Sequence, residues 1–244
     1  MDEYIARTYG EHLAEVYDQW FDSYEEAAID RLAELAGGGP ALELGIGTGR
    51  IALPLSARGV EVRGIDAAPA MVDRLRARPG GDSIAVTMGN FADVNVEGEF
   101  SLVFIVFNTF YALLTQEEQA RCFRNVAEHL TEGGTFLIEA VVPDVARFRG
   151  GQNVRAYTVT NDRVSLQASH HDPVRQRMMT QNIVFTEKGV KLYPVEIRYA
   201  WPAELDLMAR LAGLKLRHRW GNWKGEEFSG NSEKHISVYE RSRG

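Results

Sequence analysis

Apolar residues recur at helical spacing between Glu11 and Leu35: Leu13, Val16, Tyr17, Trp20 and Phe21, then Ala28, Ile29, Leu32 and Leu35. The pattern predicts two helices broken near Asp22-Ser23, the second closed by Gly37-Gly38-Gly39-Pro40. Short apolar runs then alternate with helical stretches. Strands are expected at 41–44, 60–65, 84–88, 100–107 and 135–142, and helices at 50–58, 69–78 and 116–130. The run Phe100-Ser101-Leu102-Val103-Phe104-Ile105-Val106-Phe107 is nearly all apolar, as a parallel strand covered on both faces requires. From 154 to 200 the rhythm changes. Strands are expected at 157–160, 163–169, 178–185 and 191–199, joined by turns at Asn161-Asp162, Asp172-Pro173 and Glu187-Lys188-Gly189. A helix at 202–211 and strands at 214–220 and 232–240 complete the chain.

Alternating strands and helices build a doubly wound α/β sheet, here carrying an antiparallel insertion. Nothing in the chain reads as a linker, so a single domain is expected: a helical cap at 1–36, a core at 37–142, an insertion at 143–200 and a closing segment at 201–244.

Composition narrows the function. The 244 residues are 45% hydrophobic and 25% charged, which is ordinary globular chemistry. The net charge of −7 argues against a sequence-independent nucleic-acid binder. No apolar run is long enough for a membrane span, and from the acidic Met1-Asp2-Glu3-Tyr4, with no apolar stretch behind it, no secretory signal is expected. Cys122 is the only cysteine, which excludes an internal disulfide and any cysteine-cluster metal site. A cytoplasmic setting is expected, with no nucleic-acid, membrane or metal partner.

The most informative segment is Glu43-Leu44-Gly45-Ile46-Gly47-Thr48-Gly49-Arg50, between a strand and a helix. Glycines there let a ligand approach the backbone. Asp66 follows about twenty residues on, at a strand end where a carboxylate accepts hydrogen bonds from ribose hydroxyls. A dinucleotide site wants its third glycine where Arg50 stands, and a P-loop needs a Lys-Ser or Lys-Thr that the chain lacks. The spacing suits a nucleoside whose tail carries no phosphate. The bland alternative is a glycine-rich turn with no ligand.

Glu43 to Arg50 resembles the first motif of the class I S-adenosylmethionine-dependent methyltransferases. The resemblance continues through Ile65-Asp66-Ala67-Ala68-Pro69-Ala70-Met71, Gly89-Asn90-Phe91-Ala92-Asp93, Phe107-Asn108-Thr109-Phe110 and His129-Leu130-Thr131-Glu132-Gly133-Gly134. Near the start, Leu13-Ala14-Glu15-Val16-Tyr17-Asp18 resembles the helix that closes over the cofactor in small-molecule members. It implies a Rossmann-like seven-stranded methyltransferase sheet with helices on both faces, a helical cap, and the antiparallel insertion after strand five. It also implies S-adenosylmethionine as cofactor and S-adenosylhomocysteine as product. Gly45 and Gly47 would approach the methionine portion and Asp66 the ribose; Ala67 and Met71 would pack near the adenosine. Asn90 and Phe91 would contact adenine, and Phe107 would lie beneath the cofactor. Many relatives carry Asp where Asn90 stands; its amide oxygen still accepts, but the charge is lost. Arg50 either pairs with the cofactor carboxylate or is a solvated first-turn residue. Tyr17 either lies beside the reactive methyl or is an ordinary helix aromatic, and Glu43 orients the loop or simply accepts backbone N–H bonds.

The sulfonium cofactor carries the hard chemistry, so a base is needed only if the acceptor must lose a proton. Tyr17, Tyr111, Glu139, His170 and His171 are the candidates, with the two histidines expected on an exposed insertion strand. The insertion reads as the acceptor lid, as a homodimer interface, or as both. The expected reaction is methyl transfer to nitrogen or oxygen of a small molecule in specialised metabolism. The alternatives are α-N-methylation of a short peptide and a repurposed protein that binds the cofactor without methylating.

Overall fold

The computed structural model describes residues 8–21 and 23–242. Asp22, where the first helix was expected to break, and Met1-Asp2-Glu3-Tyr4 lie outside the described residues. Two helices open the chain, α1 (Thr8–Phe21) and α2 (Glu26–Ala36). Five parallel strands follow: β1 (Ala41–Leu44), β2 (Val62–Asp66), β3 (Ala85–Met88), β4 (Phe100–Ile105) and β5 (Leu130–Val141). Between them run α3 (Ala52–Ala57), α4 (Pro69–Arg76) and α5 (Gln116–Glu128). Next comes the insertion, β6 (Gln152–Val159), β7 (Arg163–Asp172), β8 (Arg177–Thr186) and β9 (Gly189–Arg198). Helix α6 (Pro202–Leu211) and strands β10 (Leu214–Trp220) and β11 (Lys234–Arg241) close the chain.

The main sheet has the order β10-β11-β5-β4-β1-β2-β3, and β11 runs antiparallel to both neighbours. The expected seven-stranded Rossmann-like sheet is therefore present, with the insertion as a separate antiparallel sheet in the order β6-β7-β8-β9. Strand β4 shows why its sequence is apolar throughout. Leu102 and Phe104 face a core built with Ile29 and Leu32 of α2 and Leu55 of α3, whereas Val103 and Ile105 face a core built with Phe123 of α5 and Met208 of α6. Phe123 meets Phe110, Phe136 and Tyr239 edge-on with ring centroids 5.2–5.6 Å apart. Such pairs add about 0.5–1.5 kcal/mol each beyond the area they bury.

Element boundaries moved where tertiary pairing, not local pattern, sets them. Strand β5 begins at Leu130 instead of 135, because Leu130 pairs with Phe100 before a register shift. Strand β6 begins at Gln152 instead of 157, recruited by pairing with β7 although its first residues do not alternate. Helix α3 starts at Ala52, two residues later than expected, since the glycine turn continues through Arg50. Helix α5 begins on a full capping box, Thr115 with Glu118.

Candidate active site

Strand β1 ends at the glycine loop, beside the end of β2. Gly45 and Ile46 donate their N–H groups to the Ile65 carbonyl at 2.8 and 3.0 Å, which bends the chain across the strand end. Gly45 sits at φ +74°, and a Cβ there would come within 2.4 Å of the Thr109 methyl. Both facts require glycine, and they leave a cradle of bare backbone facing a crevice.

Asp66 closes one wall. Its Oδ2 accepts from Gly47 N–H at 2.7 Å and its Oδ1 from Ala68 N–H at 2.9 Å. Burial pushes its carboxyl pKa up, and these backbone donors hold it down. Each oxygen keeps a second lone pair for a ligand hydroxyl. The crevice is lined by Tyr17, Gly45, Gly47, Asp66, Ala67, Met71 and Phe91, all singled out from sequence. Gly10, Ala68, Thr109, Ala112 and Leu113 also line it and were missed as contacts. Gly10 carried a signal: a glycine inside a helical pattern often marks close packing. A Cβ on it would lie 2.4 Å from the Ala68 Cβ, so α1 rests directly on the start of α4.

The remaining residues named from sequence are placed differently. The Asn90 side-chain oxygen accepts from Ala92 N–H at 2.9 Å, and Asn90 does not line the crevice, although Phe91 beside it does. Glu43 is buried below the loop with Oε2 unpartnered; burial raises its carboxyl pKa well above the usual range, with Arg50 opposing. Arg50 is buried as well. Its guanidinium lies 3.5 Å from the Phe107 ring centroid and donates to the Phe21 carbonyl (2.6 Å) and the Tyr17 hydroxyl (3.1 Å). It therefore ties the end of α1 to the glycine loop. Thr48 adds a second tie, donating to Asp18 at 2.8 Å, and Asp18 pairs with Arg78 at 2.7 Å.

Phe107 and Asn108 follow β4 with φ of +56° and +65°, a left-handed pair without glycine. Such residues cost about 1 kcal/mol or more each. Glu139 helps hold them there: its Oε2 accepts from Phe107 N–H at 3.1 Å, and its Oε1 accepts from Trp223 Nε1–H and the Lys234 ammonium, each at 3.0 Å. The Asn108 side chain accepts from Val141 N–H at 2.6 Å.

A second cavity, of about 450 Å³, lies over this loop. Leu13, Tyr17, Trp20 and Phe21 of α1 form one wall, with Arg50, Phe107, Asn108, Thr109 and Ala112 on the floor. Arg147 and the facing side of the insertion sheet, including Tyr157, Gln167, Met178, Thr180, Asn182 and Val195, form the rest. Tyr17, Thr109 and Ala112 line both this cavity and the crevice. Burial raises the Tyr17 hydroxyl pKa, with Arg50 opposing, so the phenol stays protonated near neutral pH.

Of the other base candidates, none lines either cavity. Tyr111 is fully buried, its hydroxyl directed at the Val141 and Ala200 carbonyls at 3.0 Å. His170 is exposed on β7. His171 is buried at the insertion's base, 3.0 Å from the Tyr199 hydroxyl and packed on Phe148.

Residues 41–134 match the family model described as a methyltransferase domain. The structure superposes on the CcbJ methyltransferase from Streptomyces caelestis with a TM-score of 0.91 and 39% identity, covering 98% of this chain and 100% of that one. The sequence is 29% identical over 207 residues to the cypemycin N-terminal methyltransferase of a Streptomyces species, spanning 84% of each chain. It is 30% identical over 213 residues to an uncharacterized methyltransferase of Staphylococcus carnosus (strain TM300), spanning 84% of this chain and 94% of the relative.

Proposed function

Because the chain belongs to the class I S-adenosylmethionine-dependent methyltransferases, we propose that it methylates an amine nitrogen of a small organic acceptor of specialised metabolism. The acceptor occupies the cavity between α1 and the insertion sheet. The observation that carries this reading is the seam at Tyr17, Thr109 and Ala112, which line both the crevice beside Asp66 and the larger cavity.

When bound, S-adenosylmethionine supplies a methyl group made electrophilic by its sulfonium. The bare backbone at Gly45 and Gly47 admits its amino-acid portion, and Asp66 accepts from the ribose hydroxyls. Met71 and Phe91 pack against the adenosine, with Ala67 beside them. Arg50 holds α1 over the crevice, so that Tyr17 and the α1 wall exclude water from the seam. The chain's main contribution is alignment of the acceptor nitrogen with the methyl group. A protonated Tyr17 orients the acceptor by a hydrogen bond and does not act as a base. That favours an amine, whose ammonium loses a proton to water before attack and then presents a neutral lone pair, over a hydroxyl, which needs a base during attack. The amine proton is lost afterwards to water at the mouth of the cavity.

A second reading, α-N-methylation of a short peptide, is favoured by the identity to the cypemycin N-terminal methyltransferase. One experiment separates them. Calorimetry with S-adenosylmethionine comes first, with NAD and the Asp66→Ala variant as controls. Two charge-assisted bonds are lost in the variant, so a fall of roughly a hundredfold in affinity is expected. Methyl transfer to small amines, phenols and short peptides is then followed by mass spectrometry. Product from small amines alone supports the proposal, and product from peptides alone replaces it with the second reading. Product from phenols alone, or no cofactor binding by the folded protein, overturns both.

A further inference from the structure

The whole chain carries a net charge of −7, yet the cavity between α1 and the insertion is lined by positive groups. Its charged residues are Arg50, Arg147 and Glu196. Glu196 is already spent. It pairs with Arg177 at 2.7 Å, and strand alternation turns its side chain to the face opposite Val195 and Ile197. An adjoining cavity, also of about 450 Å³, shares Trp20, Phe21, Tyr157, Gln167 and Asn182 with the first. Its lining adds Arg163 and no carboxylate. The two arginines of the first cavity differ in what holds them. Arg50 is buried and taken up by the Phe21 carbonyl, the Tyr17 hydroxyl and the Phe107 ring. Arg147 is exposed, so it stands where the cavity opens, and it pairs with no carboxylate among the described residues. Its guanidinium touches only weak partners. The Met178 sulfur, on the same cavity wall, lies 4.0 Å from Nη2, and the Phe148 ring centroid lies 5.0 Å from the guanidinium carbon. The Asn153 side chain donates to the Arg147 carbonyl at 2.9 Å, which fixes the loop that carries it.

We propose that the acceptor carries an anionic group, a carboxylate or a phosphate, besides its amine, and that Arg147 binds this group. The proposal rests on reading the cavity as the site of an amine acceptor. A guanidinium matches either anion with two parallel charge-assisted bonds. The wall offers an ammonium no free counter-charge, and like charges disfavour the protonated amine. That suits an amine that must be neutral when it attacks, but it gives the amine nothing to bind to. An anion elsewhere on the same molecule supplies the attraction. Arg163 in the adjoining cavity adds a potential of the same sign, which draws anions toward the opening.

The test is calorimetric binding to the S-adenosylhomocysteine complex of the full chain, which needs no turnover. The probes are matched pairs: amino acids beside their carboxamides, and amino-alcohol phosphates beside the parent amino alcohols. The anionic member of one series should bind roughly tenfold to a hundredfold more tightly than its neutral counterpart. The series that shows the preference tells carboxylate from phosphate. Arg147→Gln should abolish the preference, and Arg147→Glu should invert it. Arg124→Gln removes the same charge from an exposed position of α5 and should keep it. Affinity for S-adenosylmethionine should not change in any of these variants, because Arg147 does not line the crevice beside Asp66. Circular dichroism checks that each variant folds. Equal binding of both members in wild type overturns the proposal, and so does a preference that survives in both Arg147 variants. A tenfold fall in S-adenosylmethionine affinity in Arg147→Gln also overturns it, by assigning Arg147 to the cofactor carboxylate. Methyl transfer to the same pairs is then read by mass spectrometry. A preference in binding without methylated product removes the amine-methylation reading and leaves the anion site standing.

Discussion

Glu43 is buried with one carboxylate oxygen unpartnered, and its environment favours the neutral acid. A carboxyl whose folded pKa is raised stabilises fully below its unfolded pKa, near 4.3, and loses that contribution as pH rises through the folded value. Glu43→Gln should therefore raise the melting temperature at pH 8 relative to wild type, and leave it nearly unchanged at pH 4. A difference that does not grow with pH would show that Arg50 fully compensates the charge. Glu43, Gly45, Gly47 and Asp66 were legible in the sequence because one local spacing carries them. Arg50 was not: its guanidinium is taken out of solvent by partners on α1, Tyr17 and the Phe21 carbonyl, distant in sequence. Phe107 was expected to end the strand at 100–107, but β4 stops at Ile105, and the left-handed backbone of Phe107 and Asn108 is visible only in three dimensions. The bracing comes from Glu139 and the Val141 N–H, on another strand.

Helix α1 is held by specific ties. Arg50 grips its C-terminal end, Thr48 and Arg78 hold Asp18, and Leu13 and Ala14 pack on Ala68 and Met71. Removing the buried guanidinium leaves the Phe21 carbonyl and the Tyr17 hydroxyl without it, a loss of about 2–3 kcal/mol. Arg50→Ala should therefore release α1 locally, seen as faster proteolysis within 8–25 and roughly tenfold weaker S-adenosylmethionine binding. Little change in the core's melting is expected, because α1 lies outside the two large apolar clusters. Equal protease resistance in the variant would show that packing alone holds the helix. The four insertion strands were legible from their alternation and turns. The start of β6 was not, since Gln152-Asn153-Val154-Arg155-Ala156 has no strong pattern and becomes a strand by pairing with β7.

Stability of the whole molecule should fail first on the acid side. His235 is fully buried in β11, its Nδ1 2.9 Å from the Ser237 hydroxyl and its Nε2 unpartnered. Burial lowers its pKa to about 3. A histidine depressed from about 6.5 contributes stability above that value and loses it as pH falls toward 3, at up to about 1.4 kcal/mol per pH unit. His235→Leu keeps the volume, and the Ser237 hydroxyl retains its bond from Arg219 at 2.8 Å. Denaturant melts should show the variant close to wild type at pH 8 and less sensitive between pH 6 and 4. Parallel acid limbs would assign acid unfolding to other groups. At this scale the division between sequence and structure is clear. The order of strands and helices, the glycine loop and the acidic strand end follow from the sequence alone, because backbone periodicity and turn chemistry act over a few residues. The seven-stranded order and the seam between the two cavities were decided by tertiary structure. Each depends on which distant segments share a face, and local pattern cannot say which side of a strand will be covered.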